Sequence, residues 1–129
     1  MRNAILMMLL AVVSSSAAAA WVEVGGNAIA TAYADPATIR KNGNRAKMWD
    51  LFDLKTARAS REGRSYLSTK QQAEYDCKEE QWRMLYFSWH SGNMGIGETV
   101  FSYAEPNNWG PIPPDSWVEL LWKFACGKR

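Results

Sequence analysis

Histidine is almost missing from this sequence: 129 residues contain one, His90. Imidazole is the side chain most often used as a base near neutrality, because its pKa lies there. A single imidazole leaves little scope for nucleophilic chemistry of the Ser-His or Cys-His kind. Its neighbour Ser91 gives no dyad, since adjacent residues of a strand point to opposite faces. Cysteine is equally sparse. Cys77 and Cys126 lie far apart, and no close-spaced Cys or His pair joins them or His90 in the pattern of a zinc site. The paired carboxylates are weak as well, because Asp50 and Asp53 face opposite ways in a regular strand and Glu79-Glu80 falls in a turn. These shortages argue against an enzyme and against a metal or other cofactor. An excess of one charge is also lacking, with 15 basic against 13 acidic residues and a net charge of +2, so overall charge does not point to nucleic acid or an anionic membrane. No apolar run reaches the roughly 20 residues of a transmembrane helix. There is no repeat with a period of 20 to 50 residues and no linker.

The longest apolar run, Ala4 to Val13, follows Arg2 and precedes Ser14-Ser15-Ser16 and Ala17 to Ala20. This is the layout of a secretory signal peptide over residues 1–20, leaving one domain over 21–129 that starts at Trp21. No cysteine stands near the cleavage site, so no lipid anchor is expected, and the product is periplasmic or secreted. Removing Arg2 leaves 14 basic against 13 acidic residues, a net of +1. In an oxidising compartment an even pair of cysteines reads as a disulfide. Joining Cys77 to Cys126 closes a loop of roughly 50 residues, which the chain-entropy account values at about 4 kcal/mol.

The chain end, Pro113 to Gly127, reads as one helix. Asp115 or Ser116 serves as N-cap, Ser116 and Glu119 have capping-box spacing, and Gly127 suits a left-handed terminator. Trp117, Leu120, Leu121 and Phe124 form a stripe at i, i+3, i+4 and i+7, widened by Val118, Trp122 and Ala125. Upstream the pattern is that of strands. Trp21 to Val24 and Ala28 to Ala34 flank Gly25-Gly26-Asn27 as a hairpin, and Asp35 to Ile39 resembles one capped helical turn. Ala46 to Leu54 forms a third strand with Trp49 and Leu51 on one face and Met48 and Phe52 on the other; Lys55 to Arg64 reads as an exposed loop. Leu67 to Cys77 alternates with Cys77 on the less polar face. In Trp82 to Trp89, Leu85, Phe87 and Trp89 are expected to oppose Trp82, Met84 and Tyr86. Gly92, Gly95 and Gly97 precede a strand, Glu98 to Tyr103, and not a helix, so they mark a turn and not a phosphate loop. The expected class is α+β: an antiparallel sheet of about six strands with a C-terminal helix packed on one face.

Binding chemistry is better represented. From Arg40 to Arg64 eight basic residues meet three acidic ones, so the near-neutral total hides a basic segment. Arg58, Arg61 and Arg64 can make charge-assisted hydrogen bonds to acidic partners, although a solvated loop carries the same pattern. Trp109, among Asn107, Asn108, Gly110 and Pro111, is either an exposed interface anchor or a ring folded over the sheet edge. Seven tryptophans exceed what a core of this size needs.

The ordered motifs resemble the surface-adhesin protein E family. They are Trp21, Tyr33-Ala34-Asp35 with Thr38-Ile39-Arg40, Met48 to Asp53, Asp76-Cys77, and Pro114 to Cys126. The resemblance implies the same sheet, packed helix and disulfide. It also implies adhesion to host matrix or serum proteins, of which laminin, vitronectin and plasminogen are the family's examples, and an association with haem. Without the family's N-terminal lipid, an envelope protein or a small ligand is the alternative partner.

Overall fold

Alternating apolar and polar residues, β-branched or aromatic at every second position, make extended strands wherever one face is covered. The computed structural model describes residues 20–128, so the expected leader lies outside it apart from Ala20. The strands are β1 Val22–Gly26, β2 Ala30–Asn42, β3 Arg45–Ala59, β4 Ser65–Asp76, β5 Gln81–His90, β6 Thr99–Tyr103 and the two-residue β7 Gly110–Pro111, followed by the helix α1, Trp117–Cys126. The first six form an antiparallel meander in chain order, and β7 extends the β6 side of β5. The expected α+β architecture is what forms.

Turn chemistry sets each reversal. Asn27 Oδ1 accepts from the amides of Ile29 and Ala30. Gly43 turns β2 into β3 at φ +60°, where a side chain would be strained. Asp76 Oδ1 accepts from the amides of Lys78 and Glu79.

Two segments differ from their sequence reading. Asp35 to Ile39 is a bulge within β2 and not a helical turn: pairing with β3 jumps from Asp35–Trp49 to Arg40–Lys47. Pro36 has no N–H to give the ladder. Thr38 Oγ1 fills the gap, donating to the Asp35 carbonyl at 2.7 Å and accepting from the Trp49 amide at 3.0 Å. The expected loop over Lys55 to Arg64 is shorter, because β3 continues to Ala59 and the turn is confined to Ser60 to Arg64. Backbone pairing of Arg58 and Ala59 with Tyr66 and Ser65 holds this polar extension, which apolar periodicity does not reveal.

One sheet face is floored by Ala34, Ala46, Met48, Ala73 and Tyr75, all buried beneath Leu121, Trp122 and Ala125 of α1. Small residues in the floor let the helix come close. Ser116 Oγ accepts from the Glu119 amide, and Glu119 Oε2 accepts from that of Asp115, so the capping box reaches one residue further back than usual. Gly127 is left-handed, and the amides of Gly127 and Lys128 reach the carbonyls of Phe124 and Lys123, closing a Schellman motif. The buried stripe is Val118, Leu121, Trp122 and Ala125, turned by one residue from the expected one, and Leu120 is 43% exposed. Two bonds fix that rotation. Trp122 Nε1 donates to the Asp76 carbonyl at 3.0 Å, and Cys126, one turn further on, is joined to Cys77 with a Cα–Cα distance of 5.6 Å.

A register shift at Gln72/Ala73 leaves Leu85 unmatched and reverses the expected alternation of β5. Trp82 and Met84, opposite Tyr75 and Ala73, therefore share the helix side with Phe87 and Trp89, opposite Gln71 and Thr69. Of the β5 aromatics Tyr86 alone turns to the other face, with Arg83 and Ser88.

Beneath α1 lies one polar group without a cation. Asp50 is buried and accepts from Gln71 Nε2. Burial pushes its carboxyl well above the ordinary range, and the Gln71 hydrogen bond opposes this only in part. Unfolded, Asp50 ionises near about pH 3.9. Above that pH the fold carries a penalty the open chain lacks, one that grows until the raised native pKa is passed. Asp50→Asn keeps the shape without the charge. It is expected to raise the melting temperature at pH 7 by about 4–8 °C for each kcal/mol relieved, and the gain should vanish as calorimetry is repeated towards pH 4.

Candidate binding surface

The turn after β3 is built on Ser60. Its amide donates to the Arg64 carbonyl, its carbonyl accepts from the Gly63 amide, and its Oγ accepts from the Arg64 amide. Arg64 then crosses to β6, meeting Glu98 at 3.3 Å and donating to the Val100 carbonyl at 3.4 Å. That link sets the turn beside the edge strand. Between them opens a cleft of about 320 Å³ lined by Ser60, Arg61, Glu62, Trp89, Val100 and Phe101.

The cleft wall continues as an aromatic platform. Tyr66 stacks on Trp89 at 4.5 Å, Trp89 meets Phe101 at 5.1 Å, and Phe87 lies 5.8 Å from both Phe101 and Tyr103. Offset and tilted rings at such distances add to the stabilisation from buried area. Tyr66 roots the platform in a second core with Ala30 and Leu54, against which Trp117 packs. At the outer end Phe101 and Tyr103 are each 44% exposed on β6, the last strand of the sheet. Cross-strand aromatic pairs, Phe87 with Tyr103 and Trp89 with Phe101, place this surface. Their signal in the sequence is two alternating aromatic pairs, Phe87 with Trp89 and Phe101 with Tyr103, on either side of a glycine turn.

The residues singled out from sequence do not share one site. Arg61 lines the aromatic cleft, Arg64 is committed to Glu98, and Arg58 borders a separate shallow depression with Ala28, Ile29, Thr56 and Ala57. Trp109 lies elsewhere, on the face away from α1, with the guanidinium carbons of Arg45 and Arg83 each 4.9 Å from its ring centre. It is half-buried and touches none of the three arginines' sites.

Nucleophilic chemistry finds a weak footing. His90 Nε2 is 2.7 Å from Ser88 Oγ, two residues away on the same face, and not paired with Ser91. Ser88 is only 2% exposed, and the buried His90 Nδ1 has no hydrogen-bond partner to orient the ring. Burial, helped by the charge of Lys70, lowers the His90 pKa and favours neutral imidazole. Asp50 and Asp53 lie on opposite faces, with Asp53 accepting from Asn93 Nδ2 and the Met94 amide. Among the described residues no group of three or more His, Cys, Asp or Glu is placed to hold a metal ion, and no helix is long and apolar enough to cross a membrane.

The described residues thus form a disulfide-clasped antiparallel sheet under the helix α1, with aromatic and arginine side chains gathered at one sheet edge. The sequence profile of surface-adhesin protein E matches residues 21–127, and the chain belongs to that family. Among solved structures, crystal form II of Haemophilus influenzae protein E superposes with a TM-score of 0.66 at 12% identity, covering 83% of this chain and 87% of that one. A second structure of Haemophilus influenzae protein E gives 0.65 at 13% identity, covering 83% of each chain. Protein E from non-typeable Haemophilus influenzae gives 0.60 at 14% identity, covering 83% of this chain and 75% of that one. No curated protein matches the sequence.

Proposed function

We propose that this protein is a non-enzymatic, exported adhesin that binds host matrix or serum proteins through the β6 platform and the Arg61 cleft. The observation that carries this reading is the exposed pair Phe101 and Tyr103 on an edge strand, beside a guanidinium. Aromatic and arginine side chains supply most hot spots of protein interfaces, and an unpaired strand edge offers main-chain hydrogen bonds to an incoming chain. Family membership supports the same role.

The mature protein, residues 21–129, is expected to bind immobilised laminin or vitronectin saturably in surface plasmon resonance. Phe101→Ala and Arg61→Ala should each weaken capture by about tenfold, the effect of losing roughly 1.4 kcal/mol at a hot spot. Absence of saturable binding to either protein would overturn the reading. So would recovery of the native protein from the periplasm alone on cell fractionation, which would instead favour an envelope partner.

A further inference from the structure

The sheet face away from α1 carries a second concentration of aromatic and cationic side chains, remote from the platform. Cross-strand pairing lays it out in rows. Lys47 of β3, Glu74 of β4 and Arg83 of β5 form one row; Trp49, Gln72 and Tyr86 form the next; Leu51, Lys70 and Ser88 form the third. Trp49 meets Tyr86 edge-on at 5.4 Å, and Lys70 Nζ stands 5.5 Å above the Trp49 ring. At the other end Arg45 and Arg83 hold Trp109. From Arg45 to Trp49 this strip runs about 13 Å along β3, at roughly 3.3 Å per residue; beyond it Leu51 and Ser88 are buried, and the turn at Gly95 lies close against Leu51 and the stem of Lys70.

The anions of this face are already engaged. Glu74 is bonded to Arg83 at 2.8 Å. Asp76 is held by the amides of Lys78 and Glu79, and Asp35 by that of Ala37. Among the described residues no carboxylate lies within 4.0 Å of the charged atoms of Arg45, Lys47 or Lys70. Two of these three cations rest against rings that limit their freedom, so part of the ordering cost of binding an anion is already met.

We propose that this face binds a sulfated polysaccharide chain along the strand direction, with sulfate groups on Arg45, Lys47 and Lys70. The part of this face that stays accessible, with Arg45 and Lys47 exposed and Trp49 and Lys70 half-buried, suits an extended polymer, and a guanidinium can hold a sulfate through two parallel N–H donors. Duplex DNA fits less well. Its phosphates present a charge about every 1.7 Å, whereas this face interrupts its cations with Glu74, Asp76 and Asp35. A sulfated sugar chain places its anions ring by ring, leaving room for those carboxylates.

The test uses a heparin-derived decasaccharide in isothermal titration with the intact, oxidised protein. Binding is expected to weaken linearly in log–log form as salt is raised. Lys47→Glu and Lys70→Glu should each raise Kd by about tenfold, the scale of losing one charge-assisted contact. Lys70→Gln, milder for folding, should raise it less. Lys41→Glu makes the same charge change on the helix side and should leave Kd within about twofold. Equal losses in all the glutamate variants would overturn the proposal, as would no binding at low salt. Binding of unsulfated hyaluronate, duplex DNA or anionic phosphatidylglycerol vesicles as tightly as the decasaccharide would also overturn it. Because Phe101 lies on the other face, failure here and failure of protein capture at the β6 platform are separate results.

Discussion

Replacing Cys77 and Cys126 together by alanine is expected to destabilise the fold by about 4 kcal/mol and lower the melting temperature by roughly 20 °C. The bond joins residues 49 apart, so the unfolded chain loses a long loop's worth of freedom when it is closed. The tethered element makes the loss costly. α1 follows a crossing segment from Ala104 to Ser116 that holds only the two-residue β7. Without the clasp the helix is kept by the burial of Leu121, Trp122 and Ala125 and by one indole hydrogen bond to Asp76. Equilibrium denaturation followed by circular dichroism checks this, with the native protein in reductant matching the double variant. A loss below about 1 kcal/mol would show that the helix packs unaided.

Residues whose partners lie one turn or one strand away were legible in the sequence, and those set by irregular pairing were not. The helix ends could be read because Ser116, Glu119 and Gly127 act through the backbone next to them. The sequence puts Met48 and Phe52 together on one face of β3, opposite Trp49 and Leu51, and Gln71, Ala73, Tyr75 and Cys77 together on the less polar face of β4, because those stretches keep strict alternation. The faces of β5 are not legible, because one unmatched residue, Leu85, reverses every later side chain, and no composition signal marks it. That single shift brings Phe87 and Trp89 to the side of Tyr66 and so builds the platform. At the cleft, Arg61 was picked out by charge alone. Its aromatic neighbours come from strands about 30 to 40 positions further along the chain and reach it through the pairing of β4, β5 and β6 and the Arg64–Glu98 link. The guanidinium pair around Trp109 was hidden for the same reason, since Arg45 and Arg83 flank β4 from β3 and β5.

Leu121→Ala is expected to cost about 4 kcal/mol, in the upper part of the range for a buried leucine. Leu120→Ala is expected to cost only about 1 kcal/mol, in keeping with its partial burial. Leu121 is 2% exposed over a floor rich in Ala34, Ala46 and Ala73. Alanine methyls cannot swing into the space a lost isobutyl group leaves, and the disulfide keeps the helix from settling onto the sheet. The cavity therefore stays open, and cavity volume raises the loss beyond that of transfer alone. Leu120, 43% exposed, rests at the rim beside Gly25, where water can replace most of what is removed. Urea denaturation of both variants with the disulfide intact reads the difference, and an unchanged slope would show that the denatured state is the same. The sequence pattern alone puts both leucines in one stripe and expects similar losses. The inequality arises from the rotation that Cys126 and Trp122 impose on α1, so equal losses would mean that the helix presents a different face to the sheet.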